Sequence, residues 1–78
     1  MRKAAKVDGN HSVIVDALRA VGFSVRSTAA IGQGFPDVVC GYGGRTFLVE
    51  IKDGSKPPSA RNLTPDQVKF RDSWKGDY

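Results

Sequence analysis

Cysteine and histidine each occur once among the 78 residues, and methionine only as Met1. A single cysteine excludes an intramolecular disulfide and any zinc site built from a cysteine cluster. A single histidine leaves no multi-histidine metal site and argues against a catalytic triad. No apolar run approaches the roughly 20 residues that span a bilayer. The basic start is followed by "VDGNHS" and not by an apolar stretch, so the pattern of a signal peptide is missing too. The expected location is the cytoplasm, with no membrane partner. Repeats and low-complexity segments are also lacking. A chain this short is expected to form one domain over residues 1–78, with a basic arm over 1–9 and a core over about 10–75. Such a domain buries a limited core, and a partner chain or a metal could add stability.

What is present is an excess of positive charge: 12 Lys and Arg against 8 Asp and Glu, a net +4. That balance suits an anionic partner, nucleic acid first, although a merely basic surface gives the same count. Arg2, Lys3 and Lys6 supply part of it.

Hydrophobic spacing predicts a helix in "VDGNHSVIVDALRAVG". Asp8 or Asn10 is its candidate cap, Val13, Ile14, Ala17, Leu18 and Val21 its buried face, and Gly22 its stop. "FSVRS" alternates like a strand. "TAAIGQGF" reads as a loop whose two glycines suggest a tight backbone approach before Pro36. "DVVCGY" and "RTFLVEIK" are rich in β-formers and flank Gly43-Gly44, a two-residue hairpin turn. "DGSKPPSARN" reads as a loop in which Pro57-Pro58 blocks regular structure. "LTPDQVKFRDSW" carries a dense helix-start signature. Thr64 is the cap, Pro65 takes the first position, Gln67 closes a capping box, and Leu63 and Val68 are spaced as a staple. Phe70 and Trp74, four apart, should pack together. Cys40, inside an apolar strand, reads as a small buried filler.

The hairpin raises a question of charge. If Gly43 and Gly44 are the turn, Tyr42 pairs with Arg45, and the same register sets Asp37 opposite Glu50. Opposed side chains have Cβ atoms roughly 4.5–5.5 Å apart and share a face. Lys52, two residues beyond Glu50, joins them. Val38, Cys40, Phe47, Val49 and Ile51 fall on the other face as core. Val39 and Leu48 make the carboxylate face apolar nearer the turn, as for strands covered on both sides. Two opposed carboxylates repel, and a bridging divalent cation removes the repulsion; hard oxygen ligands suit Mg²⁺ or Mn²⁺. The plain alternative is a pair of solvated strand-end acids, with Lys52 paired to either.

"PD", a hairpin and then "EIK" resembles the PD-(D/E)xK nuclease superfamily. "GQGFPDVVCGYGGRTFLVEIKDG" followed by "LTPDQVKFRDSW" is similar, from about Asn10 to Trp74, to the virus-type replication-repair nuclease (VRR-NUC) domain in its compact stand-alone phage and bacterial form. The resemblance implies an α/β restriction-endonuclease-like core in the order α-β-β-β-α, with the family's final strand absent here. It implies a Mg²⁺- or Mn²⁺-dependent deoxyribonuclease that hydrolyses phosphodiester bonds, selective for flap or four-way (Holliday) junction DNA, in DNA repair, and acting as a homodimer. Asp37 and Glu50 would hold the metal with the Ile51 carbonyl. Lys52 would orient the attacking water, and Gln67 would face the site.

Two departures stand out. The first helix offers "NHSVI" where many relatives carry an acid, so Asn10, His11 or a water would fill in, with Asp16 about two turns on. His11 alone reads as a solvated first-turn residue. Relatives also continue into another strand, which suggests a truncation here and an exposed sheet edge open to pairing with another chain. Phosphate contacts are expected from Lys56 and Arg61 in the loop after Lys52 and from Lys69 and Arg71 on the last helix. Lys3 and Lys6 of the arm are further candidates, and Gln33 is a candidate contact to substrate backbone; solvated surface charge is the plain alternative for the basic residues. Tyr42 and Trp74 read as structural. The other readings are a non-catalytic DNA-binding module on a nuclease fold and an interaction domain whose strand-end charges are incidental.

Overall fold

The order along the chain follows from where helix caps, β-formers and glycines fall. The computed structural model describes residues 9–78. Arg2, Lys3 and Lys6 of the expected arm, and the candidate cap Asp8, lie outside the described residues. Helix α1 spans His11–Ala20, strand β1 Ser24–Ser27, β2 Val38–Tyr42 and β3 Arg45–Val49. A 3₁₀ turn at Ala29–Ile31 lies between β1 and β2; a short helix α2, Pro58–Arg61, and helix α3, Pro65–Ser73, follow the sheet. The result is a small α/β protein with a three-stranded antiparallel sheet in the order β1-β2-β3. Among the described residues no helix is long and apolar enough to cross a membrane.

The hairpin has the expected register, from Tyr42 opposite Arg45 to Val38 opposite Val49. Gly43 and Gly44 both take positive φ, 59° and 79°, the combination that a two-residue turn of matching twist demands. Val38 and Cys40 are essentially inaccessible and pack with Val15, Val25 and Ile51, with Ile14, Leu18, Phe23, Phe47 and Val49 around them. This is the core face the alternation predicts, and α1 closes it.

Helix α1 buries only part of the expected stripe: Ile14 and Leu18 pack as read, but Val13, Ala17 and Val21 do not. Val15 is its buried residue and Ile14 and Leu18 pack beside it, whereas Val13 and Val21 are 68% and 65% exposed. Apolar residues wrap more than half of this helix, so spacing alone admits two faces; contact with β1 selects the 14-15-18 stripe. His11 lies on that stripe, one turn before Val15.

Three further expectations are corrected. Pro58 does not block structure; it starts α2, because proline suits the first helical position. Asn10 occupies the cap position of α1, but its side chain makes no capping bond. The edge of β3 is also not left bare: the chain turns back so that Asp77 bridges Phe47 in parallel and its carbonyl accepts from Leu48 N at 3.2 Å. Arg45 clamps the same place through a 2.6 Å ion pair with Asp77.

The α3 signature forms as read. Thr64 accepts from Gln67 N, Gln67 answers on the Thr64 backbone, and Phe70 and Trp74 stack at 5.0 Å. Phe35 meets Phe70 edge-on at 5.0 Å and so ties the loop before Pro36 to α3. Tyr42 stacks on Phe23 at 4.4 Å, a structural role as expected.

Cys40, 1% exposed, is a core residue, and burial pushes its thiol above the usual range. A thiol reagent should therefore modify native protein about a hundredfold or more slowly than urea-unfolded protein, because reaction waits on opening. Equal rates in the two states would contradict this packing.

Candidate active site

The site is built where the hairpin ladder runs out. Pairing alternates along the two strands, so Ile51 N–H should look for an acceptor at Pro36 after the Val38–Val49 pair. The Pro36 carbonyl is instead taken by Thr28 Oγ1 at 2.6 Å, and the Asp37 carbonyl by Thr28 N at 2.8 Å. The side chain of Asp37 fills the gap: Oδ2 accepts from Ile51 N at 2.7 Å. This bond fixes the carboxylate across the hairpin, against the residue that follows Glu50. Asp37 is 6% exposed and makes no ion pair among the described residues. A buried carboxylate held by one neutral N–H is a charge only partly compensated.

Glu50 and Lys52 meet beside it. Lys52 Nζ lies 3.7 Å from Glu50 Oε2. The Gln67 side chain, projecting from the first turn of α3, joins both. Its Oε1 accepts from Lys52 Nζ at 2.9 Å, and its Nε2 donates to Glu50 Oε2 at 3.2 Å. The same Oε1 accepts from Thr64 N at 2.8 Å, closing the capping box. The amide orientation is chemically forced, since the reverse would aim an NH₂ group at an ammonium and at a backbone N–H.

Helix α1 brings a third set of groups. Asn10 Nδ2 donates to the Lys52 carbonyl, a long contact of 3.4 Å. Asn10 Oδ1 and His11 Nδ1 are buried without a hydrogen-bond partner among the described residues. His11 is thus partly buried and not the solvated residue expected. Asp16, by contrast, is exposed on α1. Among the described residues no three of His, Cys, Asp and Glu are grouped to hold a metal.

The glycine loop is the tight approach its sequence suggests. Gly32, Gln33 and Gly34 take φ of 69°, 58° and 79° in succession. A Cβ on Gly34 would lie 2.4 Å from the Asp66 carbonyl oxygen, so the loop leading to Asp37 rests directly on the start of α3. The Tyr78 phenol is pushed up, by burial first and then by the charge of Glu50; Arg71 opposes, and Asp37 adds a smaller upward push. The end of the described chain therefore lies within electrostatic reach of both acids.

Of the residues expected at a site, Glu50, Lys52 and Gln67 share one hydrogen-bonded network, and Asp37 is bonded to Ile51 next to it. Ile51 contributes its N–H to Asp37 and its side chain to the core. Lys56, Arg61 and Lys69 are exposed, on the loop after β3, on α2 and on α3; Gln33 is exposed on the glycine loop. Asn10 is a candidate to stand in for the acid missing from the first helix; its contact with the Lys52 carbonyl has no local signal in the sequence. Compared with protein-family models, with curated proteins and with solved structures, the chain matches none.

Proposed function

We propose that this chain is a metal-dependent deoxyribonuclease of the PD-(D/E)xK type, similar in its motifs to the VRR-NUC domain. The observation that carries the reading is Asp37, a buried carboxylate without an ion pair among the described residues, at the hairpin end where Glu50, Lys52 and Gln67 converge. A divalent cation shared by Asp37 and Glu50 is the charge this arrangement calls for, and two carboxylates with a backbone carbonyl are hard oxygen donors that suit Mg²⁺ or Mn²⁺. In this reading Asp37, Glu50 and the Ile51 carbonyl hold the ion. Bound there, it would polarise a phosphoryl oxygen and lower the pKa of a water.

The chain's own groups do the rest. Lys52, held by Gln67, orients the attacking water and offers positive charge to the phosphate; positioning and electrostatics supply most of the rate. Exposed Lys56, Arg61 and Lys69, together with Gln33, contact the DNA backbone, and a homodimer engages branched DNA.

Incubation with labelled linear, flap and four-way-junction DNA, with and without Mn²⁺, tests the proposal. Wild-type protein should cleave only with metal, and Lys52→Ala should cut at a rate lower by about 10²–10³-fold, the range for losing one preorganised electrostatic group. Absence of metal-dependent cleavage, or wild-type cleavage by Lys52→Ala, sinks the reading.

One observation favours a second reading, a DNA-binding module without catalysis: the α1 side chain that reaches the Lys52 carbonyl is Asn10, an amide and not an acid. That reading expects salt-sensitive DNA binding that persists in EDTA, and no turnover.

A further inference from the structure

Gln67 holds two positions at once. As the third residue of α3 it closes the capping box, taking Thr64 N–H on Oε1 while its own N–H bonds Thr64 Oγ1 at 3.3 Å. As a site residue it takes Lys52 on that same oxygen and gives Nε2 to Glu50. A helix cap needs only an acceptor, and glutamate serves as well as glutamine in a capping box. The site needs more: an acceptor for an ammonium and a donor for a carboxylate, from one side chain. Only an amide of this length provides both in place.

We infer that Gln67 is a positioning residue that makes the first turn of α3 and the Glu50–Lys52 pair a single hydrogen-bonded unit, so that Lys52 is held in place only when α3 is capped. Gly34 reinforces the arrangement by seating the loop that leads to Asp37 on the backbone of Asp66 and Gln67. Both approaches to the site, through Asp37 and through Lys52, therefore rest on one turn of helix. Without that turn Lys52 loses its 2.9 Å acceptor and keeps only the longer, 3.7 Å contact to Glu50.

The inference deepens the nuclease reading, but its first test does not depend on it. In metal-free protein, amide hydrogen exchange is followed at Val68 and Lys69 in α3 and at Val15 in α1. Lys52→Met should speed exchange in α3 by about tenfold, the size expected for a lost hydrogen bond to a charged group, relative to any change in α1. Gln67→Met should do the same, and the double variant should be no faster than Gln67→Met alone. If Lys52→Met leaves the α3 amides at wild-type protection while Gln67→Met exposes them, Gln67 is a cap only and the inference is wrong.

The second test uses Gln67→Glu, which keeps the acceptor for Thr64 and Lys52 but replaces the donor to Glu50 with a like charge, with Lys52 left to screen the two acids. Its melting temperature should stay within a few degrees of wild type. Metal-dependent kcat should fall about 10- to 100-fold, as for partners that orient metal ligands, with KM for DNA unchanged. Full activity in Gln67→Glu overturns the positioning role. If wild-type protein cleaves nothing, the nuclease reading fails by itself, and the exchange experiment still decides whether cap and site are one unit.

Discussion

Gly34→Ala is expected to cost about 3 kcal/mol or more, enough to lower the melting temperature by roughly 12–24 °C in a domain of this size. Two effects add. Alanine at φ +79° carries the strain of a left-handed residue, about 1–2 kcal/mol. Its Cβ would also sit 2.4 Å from the Asp66 oxygen and 2.5 Å from the Asp66 carbon, backbone atoms at the start of a helix that cannot swing aside. Gly43→Ala separates the two. It shares the positive φ, 59°, but a Cβ there meets nothing within 4 Å, so it should show the strain alone. Thermal melts of the two variants beside wild type make the comparison. Equal losses would mean that the loop does not rest on α3. A larger loss at Gly34 shows that the contact leading to Asp37 is part of what holds the domain together.

The same contrast shows what a sequence can carry. The hairpin was legible because two adjacent glycines admit one favoured turn, and that turn dictates which residues face each other as far as Val38 and Val49. The start of α3 was legible because Thr64, Pro65 and Gln67 act within a single turn, where chain distance and spatial distance agree. The buried face of α1 was not, beyond Ile14 and Leu18. Val13, Ile14, Val15, Ala17, Leu18 and Val21 satisfy more than one stripe, and only the position of β1 breaks the tie. Nor was the contact of Asn10 with Lys52, 42 residues apart, or the return of Asp77 to the edge of β3. Those contacts depend on where the elements dock, which local patterns do not encode.

Asp37 is where local legibility and tertiary context combine, and its replacement gives the second large effect. Asp37→Asn keeps the size of the side chain and an oxygen for the Ile51 N–H that now bonds Oδ2 at 2.7 Å. It removes a negative charge that is 6% exposed and has no ion pair among the described residues. In EDTA the variant should therefore be as stable as wild type or more so, since the cost of burying that charge disappears. With Mn²⁺ the order should reverse. Wild-type protein gains stability by mass action as the ion binds, about 2.7 kcal/mol at a hundred times Kd, and the variant gains little because one of its two carboxylates is gone. Cleavage by Asp37→Asn should fall by about 10³-fold or more. Melting curves with and without Mn²⁺, run on both proteins, test the stability half without any reference to activity. If Asp37→Asn is destabilised in EDTA, the carboxylate charge is compensated by the fold itself. If Mn²⁺ raises the melting temperature of both proteins equally, the ion binds elsewhere, and the hairpin end is not its site.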